Sequence, residues 1–450
     1  MPAHHLVIIG NGISGITLAR HVRKMDSETR ITVISGESEY FFSRTALMYV
    51  FMGHMKFEHT QPYESWFWEK NRIELKKAWV QKVEFGERTL VFDSGEKMTY
   101  DILVIATGSK PNKFGWPGQD LEGVQGLYSK QDLELMEKNT HQGVNRAVIV
   151  GGGLIGIEMA EMLAYKKIPV TFLVREKEFW DNVLPKEESE LVGRHILEHH
   201  IDLRLETELK EILSDSEGRV RAVITSKGEE ISCEFVGLTA GVSPNVDFLR
   251  NTDLKVNRGV KVNAFFQTNI PDVYAIGDCA EFENPPAADR RTIEQVWYTG
   301  RIHGETLAHN LCKKPVPYQP GIWFNSAKFL DIEYQTYGTV PPTWNDAEVK
   351  SFYWEHSSGK VCFRMLMDQA GRILGVNNFG FRLRHEFFDQ AIREKWSGEK
   401  VIAKLDKANF DPEFFAPYYL EIQKAFKAQF GGNFQPSKKS FIQKLFGASV

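Results

Sequence analysis

A short apolar run that ends in three spaced glycines and passes at once into a helix-like stretch occurs twice in this chain. Nothing else in the sequence restricts its fold as strongly. The first copy is Leu6-Val-Ile-Ile, then Gly10-Asn-Gly12-Ile13-Ser14-Gly15, then Ile16 to Lys24. The run suits a buried parallel strand. In such a turn the first glycine permits the tight bend. The second lets the backbone approach a pyrophosphate, and the third lets helix pack closely on strand. Phosphates sit well at the helix N-terminus, where free N–H groups and the dipole favour negative charge. A second strand follows at Arg30 to Ile34, and Glu37 lies 22 residues beyond Gly15, where an acid can accept hydrogen bonds from a ribose. A solvated loop glutamate has the same spacing, which does not choose between the two.

The second copy is Ala147 to Val150, then Gly151-Gly-Gly153-Leu154-Ile155-Gly156, then Ile157 to Tyr165, 141 residues after the first. One such turn is a weak signal, but two, each between a strand and a helix, imply two dinucleotides on one chain. That suggests an electron relay in which one carrier docks and leaves while the other stays. After the next strand, Val170 to Val174, Glu176 falls 20 residues past Gly156, the distance of a ribose-binding acid. Its neighbours Arg175 and Lys177 suit a 2′-phosphate equally well. NADH and NADPH both remain open.

Composition narrows the class. A chain of 450 residues holds several domains, and 55 Lys and Arg against 59 Asp and Glu leave no basic field for nucleic acid. Cys233, Cys279, Cys312 and Cys362 are far apart and form no CxxC, which argues for a reducing compartment and against a zinc or redox-disulfide motif. The early apolar stretch lacks a preceding Lys or Arg and is broken by glycines, so it does not read as an export signal. Ala147 to Tyr165 contains Glu158 and Glu161 and does not read as a membrane span. A cytoplasmic location is expected. No metal site is expected: the histidines show no ligand spacing, and adjacent pairs such as His199-His200 point different ways.

Several further segments resemble the FAD/NAD(P)-dependent pyridine nucleotide oxidoreductases, from residue 6 to about residue 380. Tyr100 to Ser109, with Ala106-Thr107-Gly108, is similar to that family's crossing between domains. Val273 to Asp278 is similar to its second FAD motif, with Gly277 and Asp278 at the ribityl chain. Gly237 to Asn245, including Gly241, is similar to its return crossing. The resemblance implies an α/β fold with two Rossmann-type dinucleotide-binding domains, arranged as in glutathione reductase, and a C-terminal α+β interface domain. It implies an FAD domain in two parts, 1–116 and 244–316, an NAD(P)H domain at 117–243, and an interface domain at 317–450. FAD then occupies the first glycine turn and NADH or NADPH the second.

Tyr40 to Leu47 stands where the family's disulfide reductases carry a redox cysteine, and here that cysteine is absent. Ser43-Arg44 is instead similar to the ferredoxin and rubredoxin reductases and to the flavin part of nitrite reductases. So is Arg291-Thr-Ile-Glu294-Gln295-Val296-Trp297, placed by the resemblance beside the flavin ring. Trp323 to Gly338 is similar to the opening of their third domain. Where ferredoxin reductases carry Pro-Pro and then Lys, this chain has Thr45 to Tyr49 without a lysine. By the resemblance, Val83 also contacts cofactor.

Hydride transfer needs positioning more than acids and bases. Glu158 is expected at the nicotinamide, where the alternative is a solvated first-turn glutamate. Arg44 is expected to pair with flavin or cofactor phosphate, a surface ion pair being the alternative. Glu294 is expected to orient Arg44 or the helix start. Trp297 is expected beside the flavin, with core packing as the competitor.

Three readings follow, two of them set by the electron acceptor. The first is a small iron–sulfur carrier, and the second a quinone or dioxygen at a membrane surface. The third makes the chain a flavin-controlled binding protein resembling apoptosis-inducing factor. The tail from Trp396, rich in Phe, Tyr and Lys, motivates the second, with Lys438 to Phe446 as a peripheral membrane contact or a docked terminal helix. The oligomeric state is left open, a homodimer included.

Overall fold

The computed structural model describes residues 4–141, 143–410 and 416–431. The segment Lys438 to Phe446 lies outside the described residues. Contacts divide the chain into two units, 1–175 with 206–320, and 176–205 with 321–450.

In the first unit the first apolar run forms the strand His5–Ile9, the middle of a five-stranded sheet ordered Val273–Ala275, Ile102–Ile105, His5–Ile9, Arg30–Ser35, Ile73–Lys77. All four pairings are parallel. Its residues are almost wholly buried, as continuous β-branched runs require when both faces are covered. Because the strands are parallel, their C-terminal ends lie on one edge. Gly10, Gly36, Ala106 and Ile276 each follow such an end. The sheet therefore gathers segments more than a hundred residues apart at one crevice, where strand order reverses.

The second apolar run repeats the plan. Val170–Leu173, Ala147–Val150, Phe235–Leu238 and Val124–Gln125 pair in parallel, in that order. The two crossing segments, Ser109–Pro111 and Val242–Pro244, pair antiparallel.

Both helices start earlier than the hydrophobic pattern suggests, at Ile13 and Leu154, because Gly12 and Gly153 are their extended N-caps. The third glycine is thereby drawn into the first helical turn. A Cβ on Gly15 would lie 2.1 Å from the Gly10 carbonyl oxygen, and one on Gly156 would lie 2.4 Å from that of Gly151. Only glycine lets these helices meet their strands. The long helix Trp297–Cys312 packs on Ile13–Met25 by the same device, since a Cβ on Gly304 would lie 2.6 Å from the Ser14 carbonyl oxygen.

The second unit is built on an antiparallel sheet ordered Phe324–Phe329, Ile332–Gly338, Ile373–Phe379, Cys362–Asp368, Val349–Glu355. The Ser357-Ser358-Gly359 turn joins two of its strands, with Gly359 at φ +69°. Helices His385–Arg393, Gly398–Ala403 and Tyr419–Phe430 cover it through a cluster holding Phe352, Phe388, Trp396 and Phe426. Trp396, Tyr419 and Phe426 from the aromatic tail are thus core. The helix Lys186–Glu198 belongs to this unit as well. Arg364 is 1% exposed and bridges the sheet to that helix through Glu188 (2.9 Å) and Glu187 (2.6 Å). Burial pushes the Glu188 carboxyl up to about 7 against the pull of Arg364. Among the described residues no helix is long and apolar enough to cross a membrane.

Candidate cofactor site

Around the first glycine turn the chain assembles a continuous polar cluster. Arg44, on a short 3-10 turn, grips Glu37 with both guanidinium nitrogens, at 2.8 and 2.7 Å. It also donates to the Tyr128 carbonyl at 2.5 Å and lies over that tyrosine's ring, 4.5 Å from its centroid. Burial pulls the Arg44 pKa down, and the pairing with Glu37 more than offsets it, so the group is held above its ordinary range. Glu37 accepts a further bond from the Lys130 N–H at 2.8 Å. The Glu37 carboxylate is therefore fixed in place by three donors. This corrects one expectation: Arg44 is oriented by Glu37 and Tyr128, not by Glu294.

Glu294 sits elsewhere, 4% exposed, accepting from Arg290 (3.0 Å) and the Tyr318 hydroxyl (3.0 Å). Its other neighbour is His303, whose Nε2 lies 3.6 Å away. The Gly277 N–H donates to His303 Nδ1 at 3.1 Å, so the ring's proton sits on Nε2, facing Glu294. Glu294 thus steadies the turn that carries Asp278 rather than the arginine.

Asp278 receives two chains of hydrogen bonds on one oxygen. Gln295 donates to the Ser109 hydroxyl (2.8 Å), which donates to Asp278 (3.0 Å). The Ser109 N–H donates to the Tyr128 hydroxyl (3.0 Å), which donates to Asp278 (3.3 Å). Burial raises the Asp278 carboxyl although its surface is part-exposed. Thr107 donates to the Asn245 carbonyl (2.7 Å), tying the two crossings together beneath Ala106 and Gly108.

The remaining residues expected at this turn fall into two groups. Ile13 and Ser14 form the first helical turn, and a Cβ on Gly277 would lie 2.4 Å from the Ser14 hydroxyl. Val296 is the N-cap of Trp297–Cys312, which leaves Trp297 at the helix start, 39% exposed against Tyr298. That exposure removes core packing as its explanation. Val83 differs: its side chain is 2% exposed, packed in the first unit's hydrophobic core.

Sequence reasoning missed Tyr128, His303 and Trp79. Trp79 is 53% exposed and lies flat against Gly36, where a Cβ would come within 2.1 Å of its ring. It offers an aromatic face one residue from the ribose acid. No local pattern announces it, because a lone tryptophan 43 residues after Gly36 is brought there only by the sheet.

The second turn is pinned differently. The Thr239 hydroxyl reaches the carbonyls of Val150 (3.0 Å) and Gly151 (3.1 Å), and the Gly241 N–H bonds back to Thr239 at 2.8 Å. Leu154 and Ile155 open the helix, and Glu158 stands one turn in. Burial, with Glu161 adding to it, pushes the Glu158 carboxyl up to about 7 while the residue stays part-exposed. Arg175 closes the first unit and Glu176 opens the second.

Both turns fit a pyrophosphate. At Gly12 and at Gly153 an added Cβ would meet nothing within 4 Å, so each middle glycine keeps an open cradle above a helix N-terminus. All four cysteines are free thiols, and burial raises each, Cys233 to about 12 and Cys279 to about 11.

Comparison with known proteins agrees with this architecture. The assimilatory nitrate reductase electron transfer subunit of Bacillus subtilis is 25% identical over 93% of the chain and 52% of its own length. The ferredoxin–NAD(+) reductase component of a p-cumate 2,3-dioxygenase system of Pseudomonas putida is 29% identical over 71% of the chain and 77% of its own length. The chain thus spans about half the length of the Bacillus subtilis relatives it matches. In fold it is similar to an NAD-dependent persulfide reductase from A. fulgidus, with a TM-score of 0.81 at 21% identity, covering 95% of this chain and 84% of that one. Residues 4–301 match the model of a family described as pyridine nucleotide-disulphide oxidoreductase. With its twin glycine turns, its paired crossings and its Gly277-Asp278 turn, the chain belongs to that family of oxidoreductases, which work with FAD and NAD(P)H.

Proposed function

We propose that this protein oxidises NADH or NADPH through FAD and passes the electrons singly to a small iron–sulfur protein. The observation that carries the reading is the site's chemistry without thiols. Tyr40 to Leu47, the segment similar to the one where the family's disulfide reductases carry a redox cysteine, holds no cysteine, and the chain's four cysteines are free thiols. Electrons reaching the flavin therefore have no disulfide to pass to and must leave directly to an external acceptor. The relative from Pseudomonas putida carries the name ferredoxin–NAD(+) reductase component, which supports an iron–sulfur acceptor.

FAD, when bound, accepts a hydride and can give up its electrons one at a time. The chain's own residues hold and orient. Gly12 and Gly153 admit the two pyrophosphates, and Glu37, fixed by Arg44, presents its carboxylate to the adenosine ribose. Asp278, held by Ser109 and Tyr128, presents its free oxygen to the ribityl hydroxyls. Glu158, with a carboxyl near 7, can be protonated at neutral pH and can donate to the nicotinamide carboxamide. Trp297, exposed at its helix start, shields the flavin face from water.

Mixing the flavoprotein anaerobically with NADH or NADPH, then with a ferredoxin or rubredoxin, tests this. Bleaching by a nicotinamide followed by stoichiometric one-electron recovery is the expected result. Bleaching without recovery by any such protein rejects the acceptor, and failure to bleach with either nucleotide rejects the whole reading.

A further inference from the structure

We propose that His195, His199 and Asp331 form a binding site for a divalent transition cation of the zinc class, built wholly within the second unit. His195 lies on the last turn of the helix Lys186–Glu198, and His199 is its C-cap, four residues on and on the same face. The sequence paired His199 with its neighbour His200, whereas the helix pairs it with His195, their rings 4.3 Å apart. Asp331 comes from the two-residue turn of the hairpin Phe324–Phe329 and Ile332–Gly338. Its predecessor Leu330 takes φ +57°, a left-handed conformation uncommon for a branched side chain, and is 4% exposed. The aim of Asp331 is thereby set by a buried anchor.

The ring orientations suit a cation. His199 Nδ1 lies 3.0 Å from the His195 carbonyl oxygen, which can only accept, so Nδ1 carries the proton. In the neutral ring Nε2 then holds a lone pair, and it points at the Asp331 carboxylate oxygen 3.3 Å away. The same oxygen contacts His195 Nε2. On the far edge of His195, Nδ1 is buried without a hydrogen bond, and Glu198 presents a carboxylate to it at 3.6 Å. Without a cation, His195 Nε2 carries a proton and donates it to Asp331; a cation taking that proton's place leaves the other proton on Nδ1, which Glu198 faces at 3.6 Å. One ligand atom from each of the two rings and the carboxylate then lie within 4.8 Å of one another, the span of a small ligand set.

The arrangement is that of ligating histidines, whose outer nitrogen donates to a carbonyl or carboxylate that fixes the tautomer. Two imidazoles and one carboxylate suit zinc, cobalt, nickel or copper, and an all-oxygen set would be needed for calcium or magnesium. The Asp331 side chain is 62% exposed, which leaves solvent for a fourth position. The bound cation ties the end of the helix to the hairpin, so binding raises the stability of the folded chain.

The test uses the full-length flavoprotein, stripped with a chelator and dialysed against zinc sulfate or calcium chloride, with metal content read by mass spectrometry. About one zinc per chain and no calcium is expected, with a higher melting temperature in zinc. His199→Gln and Asp331→Asn should each lower zinc occupancy at least about tenfold. His200→Gln should leave it unchanged. Circular dichroism and melting in chelator check that the variants fold as the parent does. Zinc retained equally by His199→Gln or Asp331→Asn overturns the assignment. So does absence of retained zinc in the parent, which would leave a cluster held by protons alone.

Discussion

The two glycine turns share one backbone plan and differ in what surrounds them. The first is ringed by side chains from many segments: Glu37, Arg44, Ser109, Tyr128, Asp278 and Gln295 form one hydrogen-bonded cluster. The second is braced mainly on its own backbone, by Thr239, with Glu158 as a single uncharged-prone acid. A cofactor that must stay through many turnovers needs fixed partners on several sides, as the first turn offers. A carrier that docks and leaves is better served by a cradle with few of them. On the proposed reading, the same motif serves retention at one turn and exchange at the other through what the rest of the sheet edge brings to it.

Valine at the two middle glycines should separate these roles most sharply. Gly12→Val and Gly153→Val each place a side chain in open space, so both variants should fold. Gly12→Val should purify colourless. Gly153→Val should keep its flavin absorbance yet lose most of its reduction by NADH and NADPH in stopped flow. The reverse assignment of colours would break the comparison.

Arg44→Ala should weaken FAD retention by about 2 kcal/mol, roughly 30-fold, because Glu37 loses its charged partner. Equilibrium dialysis measures this, and nicotinamide binding should change little.

Glu158 gives a pH signature confined to the second turn. Its folded pKa, near 7, lies above the ordinary carboxyl value of 4.5, so the folded state binds the proton more tightly. The residue's contribution to stability therefore falls as pH rises from about 4.5 to about 7 and stays low above that. Glu158→Gln should stabilise the chain at pH 8 by on the order of 1 kcal/mol, allowing for its partial exposure, and leave it unchanged at low pH. The same variant should remove an inflection near 7 from the hydride-transfer profile, while FAD retention holds.

The smallest effect belongs to Trp79→Ala, which should loosen FAD by about 1 kcal/mol through loss of a stacking face beside Glu37. Unchanged retention would place the purine elsewhere.

How much of this was legible in the sequence differs by scale. The strands were, because parallel strands buried on both faces must be continuous apolar runs. Helix starts were not, since the glycines that cap them look like loop. Roles that depend on one motif, such as the cradles at Gly12 and Gly153, could be read directly. Roles that depend on convergence could not. Tyr128 carries no motif and joins the site only because the Arg44 turn and Ser109 meet it in space. Of the two roles the pattern offers Glu294, orienting Arg44 or the helix start, the first fails because Arg290, four residues earlier, takes its charge. His195 escaped notice because helical spacing, not adjacency, decides which imidazoles meet.

Anaerobic titration of the full-length flavoprotein with a reductant tests the central claim most directly. A chain whose cysteines stay out of the chemistry should take up two electrons per flavin, with thiol count unchanged. Uptake of four electrons, with new thiols appearing, would reveal a redox disulfide and contradict the account.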